Sequence, residues 1–347
     1  MAYETEVTPE ALPPDRPADQ PVWRKRLATI LPWIIAAAMI GYVFHRVPIE
    51  AAWSVARSAR LEIFLPLVFG GVLAWFFLES AAYAYLFSRW NTAVSGREAR
   101  SLRGMSYLLT PIHWNVGKAA VILRLRQTKN IPLLESTSSV MLYQAIDAIV
   151  LAGLATAGLT LLASRADELA GVRFTTTALI LGTVLNLVLL RVSWFRVRWL
   201  VWWRNLSIHH AHRRVALRDV CVLLGLKGAY HFGFVLVFYY GTRAFGIDLP
   251  FALVLASTPI IQAVGALPIT PAGLGTQQAA MLYFYGERFG GNGSEASILA
   301  FGFSFPVAMI LGRCLVGLFY LRDLPSVQSD SREGEAEPTG RLLEAES

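Results

Sequence analysis

Apolar residues run along this chain in long blocks, not in the strict alternation of a half-buried strand or the narrow stripe of a soluble amphipathic helix. The blocks predict helices over residues 27–44, 61–87, 138–163, 175–193, 219–242 and 296–321. Each is about long enough to cross the ~30 Å hydrocarbon core of a bilayer. Residues 49–60 are shorter and two-faced, the pattern of a helix lying in the membrane interface. Two more apolar regions, 105–123 and 249–285, are interrupted by proline, glycine and polar residues.

The interruptions are alike. The first runs Thr110-Pro111, then His113, Asn115, Gly117 and Lys118, then Ala119-Ala120; the second runs Thr270-Pro271, then Gly273, Gly275, Gln277 and Gln278, then Ala279-Ala280. Proline removes a backbone donor and stops a helix, and glycine admits backbone angles that other residues avoid. Each stretch therefore predicts a helix that arrives, breaks and restarts, with Lys118 and Gln278 in matching places. Open backbone at membrane depth is tolerated where protein or a water-filled cavity satisfies it, and broken helices mark transport sites.

Charge adds direction. Basic residues stand on both sides of the first interruption, Arg97, Arg100 and Arg103 before it and Arg124, Arg126 and Lys129 after it. The positive-inside rule puts both of its ends in the cytoplasm, which makes it a re-entrant hairpin. Residues 24–163 and 164–322 then each read span, span, hairpin, span, the first starting inside and the second outside. The expected fold is an all-α polytopic membrane protein of about six full transmembrane helices plus two re-entrant helical hairpins, arranged as an inverted-topology repeat. On that topology, 17 core basic residues fall inside and 7 outside. Both termini are expected in the cytoplasm, and the location is a bacterial-type inner (cell) membrane.

Composition agrees. Of 347 residues 55% are apolar and only 16% charged, against about 25% charged in an ordinary soluble domain; the mean hydropathy is +0.47. The tails, 1–23 and 323–347, are acidic and polar, and their composition predicts disorder. Residues 24–322 hold 28 basic against 12 acidic side chains, a balance that anionic lipid headgroups explain better than nucleic acid. Cys221 and Cys314 both fall in apolar spans and read as packing residues, not as a disulfide framework. His209, His210 and His212 sit in a basic, tryptophan-rich loop with no acid or cysteine beside them. No metal site, cofactor or catalytic residue is expected, since the chain carries no phosphate-binding loop, zinc motif or nucleophile elbow.

Four ionisable residues lie deep inside predicted spans: Glu79, Asp147, Lys227 and Arg313. A charge at the centre of a span costs roughly 2.5–3.5 kcal/mol even on the lenient insertion scale. Two acids and two bases at one depth therefore predict a paired layer, serving either as static ties between helices or as a lining for a headgroup or a proton path. His231 lies four residues after Lys227 on the same helix face, and fits a packing histidine or a proton site.

Pro268-Ile269-Thr270-Pro271-Ala272-Gly273-Leu274-Gly275, with the first hairpin, Ile131-Pro132 and the span holding Asp147, resembles the flippase-like membrane domain of lysylphosphatidylglycerol synthases and its stand-alone relatives. The resemblance covers about 27–321 and implies a lipid-translocating fold with two re-entrant elements. The family pattern places a glutamate after the first glycine and another in the helix after the second motif; here those positions are Lys118 and Gln278. Only 26 residues follow Leu321, so a stand-alone member without the synthase domain is expected.

The functional expectation is a lipid translocase, not an enzyme, that moves a polar-headed, anionic lipid or lipid-linked molecule between leaflets. His113, Asn115, Lys118, Arg124, Gln262, Thr270, Gln277 and Gln278 are the expected substrate-binding residues. Membrane lipids are the expected partners, with no nucleic acid and no nucleotide; a homo-oligomer is left open. Two alternatives stand: an ion-coupled secondary transporter of a small solute, and a membrane-embedded lipid-modifying enzyme.

Overall fold

The computed structural model describes residues 49–110, 114–162, 170–191, 211, 215–267, 270, 273–286 and 292–323. They form helices α1 (Ile49–Ser58), α2 (Leu61–Trp90), α3 (Gly96–Leu109), α4 (Trp114–Lys129), α5 (Leu133–Leu161), α6 (Ala170–Arg191), α7 (Leu217–Ala244), α8 (Phe251–Ala266), α9 (Thr276–Tyr285) and α10 (Glu295–Leu318), then a 3-10 turn at Leu321–Asp323. No strand occurs among the described residues. Helices α2, α5, α7 and α10 are long and apolar enough to cross a membrane. Helix α6, 22 residues, covers 175–191 of the span expected at 175–193. The span expected at 27–44 and the acidic tails, except Asp323, lie outside the described residues, as do Trp194, His209, His210 and His212.

Helices α2 and α7 are antiparallel neighbours along their whole length. At one end the Arg60 amide donates to the Ala244 carbonyl at 3.0 Å. At the other, Arg89 meets Asp219 at 3.1 Å, and the Tyr85 hydroxyl donates to the same carboxylate at 2.8 Å. Between these ends the two helices share an aromatic core: Trp75 stacks on Phe234 at 4.8 Å, and Phe64 meets Phe245 at 5.1 Å.

Two helical hairpins flank this pair. Ser95 caps α3 and Glu98 returns a bond to the Ser95 amide, the reciprocal arrangement that satisfies two orphan donors. Lys129, in the last turn of α4, reaches back to Glu98 at 2.6 Å. The Lys129 ammonium, helped by the Ser95 amide, holds the Glu98 carboxyl down at about 2, so this clasp persists through neutral and mildly acidic pH. The start of α3 and the end of α4 thus lie together, at the Arg89 end of α2. Around the α8–α9 hairpin, the Asp248 amide donates to the Asn292 side chain at 2.8 Å, which closes that hairpin at the Ala244 end of α7. The two hairpins therefore open at opposite ends of the bundle.

The packing is two-fold in pattern. Helix α3 packs on α10 and α8 on α5; α2 packs on α10 and α7 on α5. Exchanging α2 with α7, α3 with α8, α4 with α9 and α5 with α10 maps each of these contacts onto another. Each hairpin is thereby gripped by the closing helix of the other half. Large apolar side chains such as Phe77, Leu185, Val307 and Leu315 point outward, a surface that hydrocarbon suits and water does not.

The segment 88–104 departs from expectation. The sequence places the interrupted apolar region at 105–123, with Arg103 among the basic residues before it; the structure starts α3 at Gly96 and buries Arg103 to 7% exposure. The extra turns of helix carry that arginine into the protein, where Glu79 receives it.

The hairpin geometry predicts that cysteines placed at Thr128 and Asp248, in a background lacking Cys221 and Cys314, react with an impermeant maleimide from opposite faces of sealed vesicles. Labelling of both from the same face would contradict it.

Candidate functional site

Residues at both hairpin tips line one cavity. In the first, the Thr110 hydroxyl donates to the Ser106 carbonyl at 2.7 Å as α3 ends, and α4 restarts at Trp114. A β-carbon at Gly117 would lie 2.9 Å from Thr110 Oγ1 and 3.0 Å from the Ser106 carbonyl. Only glycine allows α4 this close to α3, and Lys118 follows it into the cavity lining. In the second, Gly273 and Gly275 have φ of +73° and +83°, a region that side chains disfavour. Gln278 completes that turn: its Oε1 accepts from the Gly275 amide at 2.7 Å and its Nε2 donates to the Gly302 carbonyl at 2.8 Å. Gln277, one residue earlier, lines the cavity.

The cavity measures about 400 Å³, within the ordinary range for sites that hold small molecules. Asn115, Gln144, Gln262 and Gln277 give it carboxamides; Glu79, Arg103, Lys118, Asp147, Lys227 and Arg313 give it charge. Four bases face two acids, a formal excess of two positive charges. Leu151, Phe234, Phe238, Phe305, Met309 and Ile310 add apolar surface to the same lining.

Most of these charges form one chain across four helices. Arg103 of α3 bonds Glu79 of α2; Lys227 of α7 stands 4.0 Å from Glu79 and 2.5 Å from Asp147 of α5; His231 Nε2 is 2.8 Å from the same Asp147 oxygen. Aromatic faces complete the cations' surroundings: Lys227 lies 3.8 Å from the centre of the Tyr143 ring, and both Arg103, at 4.7 Å, and Arg313, at 5.5 Å, lie over Tyr107. A desolvated charge that loses its partner costs about 3–5 kcal/mol, so each member holds the next in place.

Of the expected binding residues, the structure brings Asn115, Lys118, Gln262 and Gln277 to the cavity, together with the whole expected charge layer of Glu79, Asp147, Lys227, His231 and Arg313. Three expected residues are elsewhere. Gln278 is 1% exposed and spent on backbone groups; Thr270 is buried, 3.3 Å from the Thr276 hydroxyl; Arg124 is half-buried on α4 and does not line the cavity. His113 lies outside the described residues. The match of Lys118 with Gln278 is therefore displaced by one position, because the second tip uses its glutamine as a helix cap. Sequence reasoning missed Arg103 and Gln144. Arg103 lies seven residues before Thr110, two helical turns back from the break, which was the available signal.

These features define an all-α, multi-pass membrane protein built around a charged internal cavity. The family model described as the lysylphosphatidylglycerol synthase TM region matches residues 29–312, and the chain belongs to that family. This places it among membrane-embedded proteins connected with membrane lipids. No curated protein and no solved structure matches the chain.

Two predictions follow from the pairings. Asp147→Asn strands Lys227 and should lower stability in detergent by about 3–5 kcal/mol, with Asp147→Asn/Lys227→Met recovering much of the loss and Asp147→Asn/Arg313→Met recovering none. Thermal unfolding of the purified variants reads this, and equal rescue by both doubles would refute the pairing. Gln278→Glu keeps the acceptor for Gly275 but loses the donor to Gly302, and should cost about 1–3 kcal/mol without changing any ligand preference at the cavity.

Proposed function

We propose that this chain is a lipid translocase that moves a lipid with an anionic head between the leaflets of a bacterial-type inner membrane. One observation carries the reading: a single cavity combines an excess of positive charge with extensive apolar lining. An amphiphile uses both surfaces at once, the head at Lys118 and the buried ion chain, the acyl portion along Phe234, Phe305 and Met309. A small hydrophilic solute would use only the first.

In this reading α2, α5, α7 and α10 span the bilayer and the α3–α4 and α8–α9 hairpins re-enter it from opposite faces. Arg89, Arg97, Arg100 and Lys129 mark the cytoplasmic end, where anionic headgroups and the positive-inside rule favour them, and both termini are cytoplasmic. The N-termini of α4 and α9 lie at the hairpin tips, so their positive dipole ends and free amides support an anion in the cavity. The interlocked halves give the fold two equivalent ways to lean, toward one face or the other, about a site that stays at their junction.

At an effective dielectric near 20, a unit charge about 8 Å from a headgroup phosphate contributes about 2 kcal/mol. In proteoliposomes with headgroup-labelled fluorescent lipids, Lys118→Gln should slow anionic-lipid movement roughly tenfold and Lys118→Glu by a similar factor again, while a zwitterionic lipid changes less. Anionic-lipid movement left intact by Lys118→Glu would remove the basis of the proposal. Transport of a water-soluble anion with no lipid movement would favour a solute transporter instead.

A further inference from the structure

One member of the charged chain is not needed for its ion pairs. His231 is 3% exposed, one turn after Lys227 on α7, and lines the cavity. Its Nε2 lies 2.8 Å from Asp147 Oδ1, an oxygen that also lies 2.5 Å from the Lys227 ammonium. A carboxylate only accepts hydrogen bonds, so the proton between Asp147 and the ring belongs to Nε2. That tautomer leaves the basic lone pair on Nδ1, and Nδ1 is buried with no hydrogen-bond partner among the described residues. The arrangement fixes the ring by one nitrogen and keeps the other free to take a proton.

Resting on the translocase reading, we propose that His231 is a proton-binding site that couples proton uptake to binding of the anionic headgroup, so that lipid and proton are carried together. The groups facing it set the sign. Helix α2 brings Glu79 and Tyr83, α5 brings Asp147 and Tyr143, α10 brings Arg313, and α8 brings the uncharged Gln262. On its own helix stand Lys227 and Tyr230, the latter ring 4.8 Å away; Arg103 and Lys118 complete the lining. With four bases against two acids, a proton on His231 adds to an existing positive excess in the empty cavity. A singly charged anionic headgroup lowers that excess by one, so that its binding and the binding of a proton favour each other. By linkage the proton favours the anion by the same factor.

The balance is simple. One proton joins Nδ1 when the headgroup enters and leaves when it departs; no covalent bond to the lipid is made or broken. Protonated Nδ1 also becomes a donor for a headgroup oxygen. A singly charged lipid accompanied by one proton adds no net charge to the loaded cavity, which lowers the electrostatic cost of crossing low dielectric, and a proton gradient can then drive the lipid toward one leaflet.

Titration calorimetry of the purified full chain with short-chain phosphatidylglycerol, in two buffers of different ionisation enthalpy, tests this. The wild type should take up about one proton per lipid bound, and its Kd should rise roughly tenfold for each pH unit over which that uptake holds. His231→Gln keeps a donor for Asp147 but does not titrate; it should bind without proton uptake and with a flat pH profile. In the wild type itself, a ring-labelled His231 NMR resonance should move to the imidazolium position on adding lipid. Binding without proton uptake, uptake that persists in His231→Gln, or a histidine resonance that ignores the lipid would overturn the proton site. Failure of the wild type to bind any anionic lipid would overturn the translocase reading itself.

Discussion

The rest of the molecule depends on the unbroken line of opposite charges Arg103, Glu79, Lys227 and Asp147, which ties α3, α2, α7 and α5 together inside an apolar bundle. Hydrocarbon offers a stranded charge no solvent, so removing any one member leaves its neighbour exposed to the full desolvation cost. Apolar contacts alone would let these helices slide, because lipid tails are as apolar as leucine. The ion chain sets their register, and by setting it places the first hairpin tip, with Gly117 and Lys118, against the cavity.

Around this line the two halves hold each other. Each hairpin packs on the other half's closing helix, α3 on α10 and α8 on α5, and each is clasped at its own mouth, by Lys129 and Glu98 in one case and by Asp248 and Asn292 in the other. The cavity is lined by residues of both halves, from Glu79 and Asp147 in one to Lys227 and Arg313 in the other. It is lined both by these charges and by apolar side chains such as Phe234, Phe305 and Met309.

Much of this was legible in the residues. Blocks of apolar sequence announce the helices, because bilayer thickness demands a minimum length. The Thr-Pro breaks announce the hairpins, since proline must end a helix, and the deep charges announce the cavity, since burial forces ionised groups to meet. The rest depended on three dimensions. Arg103 looked like one more loop arginine because nothing local shows that α3 begins at Gly96 and carries it inward. Gln278 looked like a ligand because a capping bond to Gly275 and a bond to Gly302 on α10 appear only once the turn has closed. Gln144 became a lining residue through helix rotation, which single-residue patterns in uniformly apolar helices do not define.

The most direct measurement of the central claim is mass spectrometry of the lipids that remain bound after purification, compared with the host membrane. An anion-selective amphiphile site predicts enrichment of anionic lipids in the wild type, lost in Lys118→Glu while the fold is retained. A retained lipid profile equal to that of the bulk membrane in both proteins would contradict it.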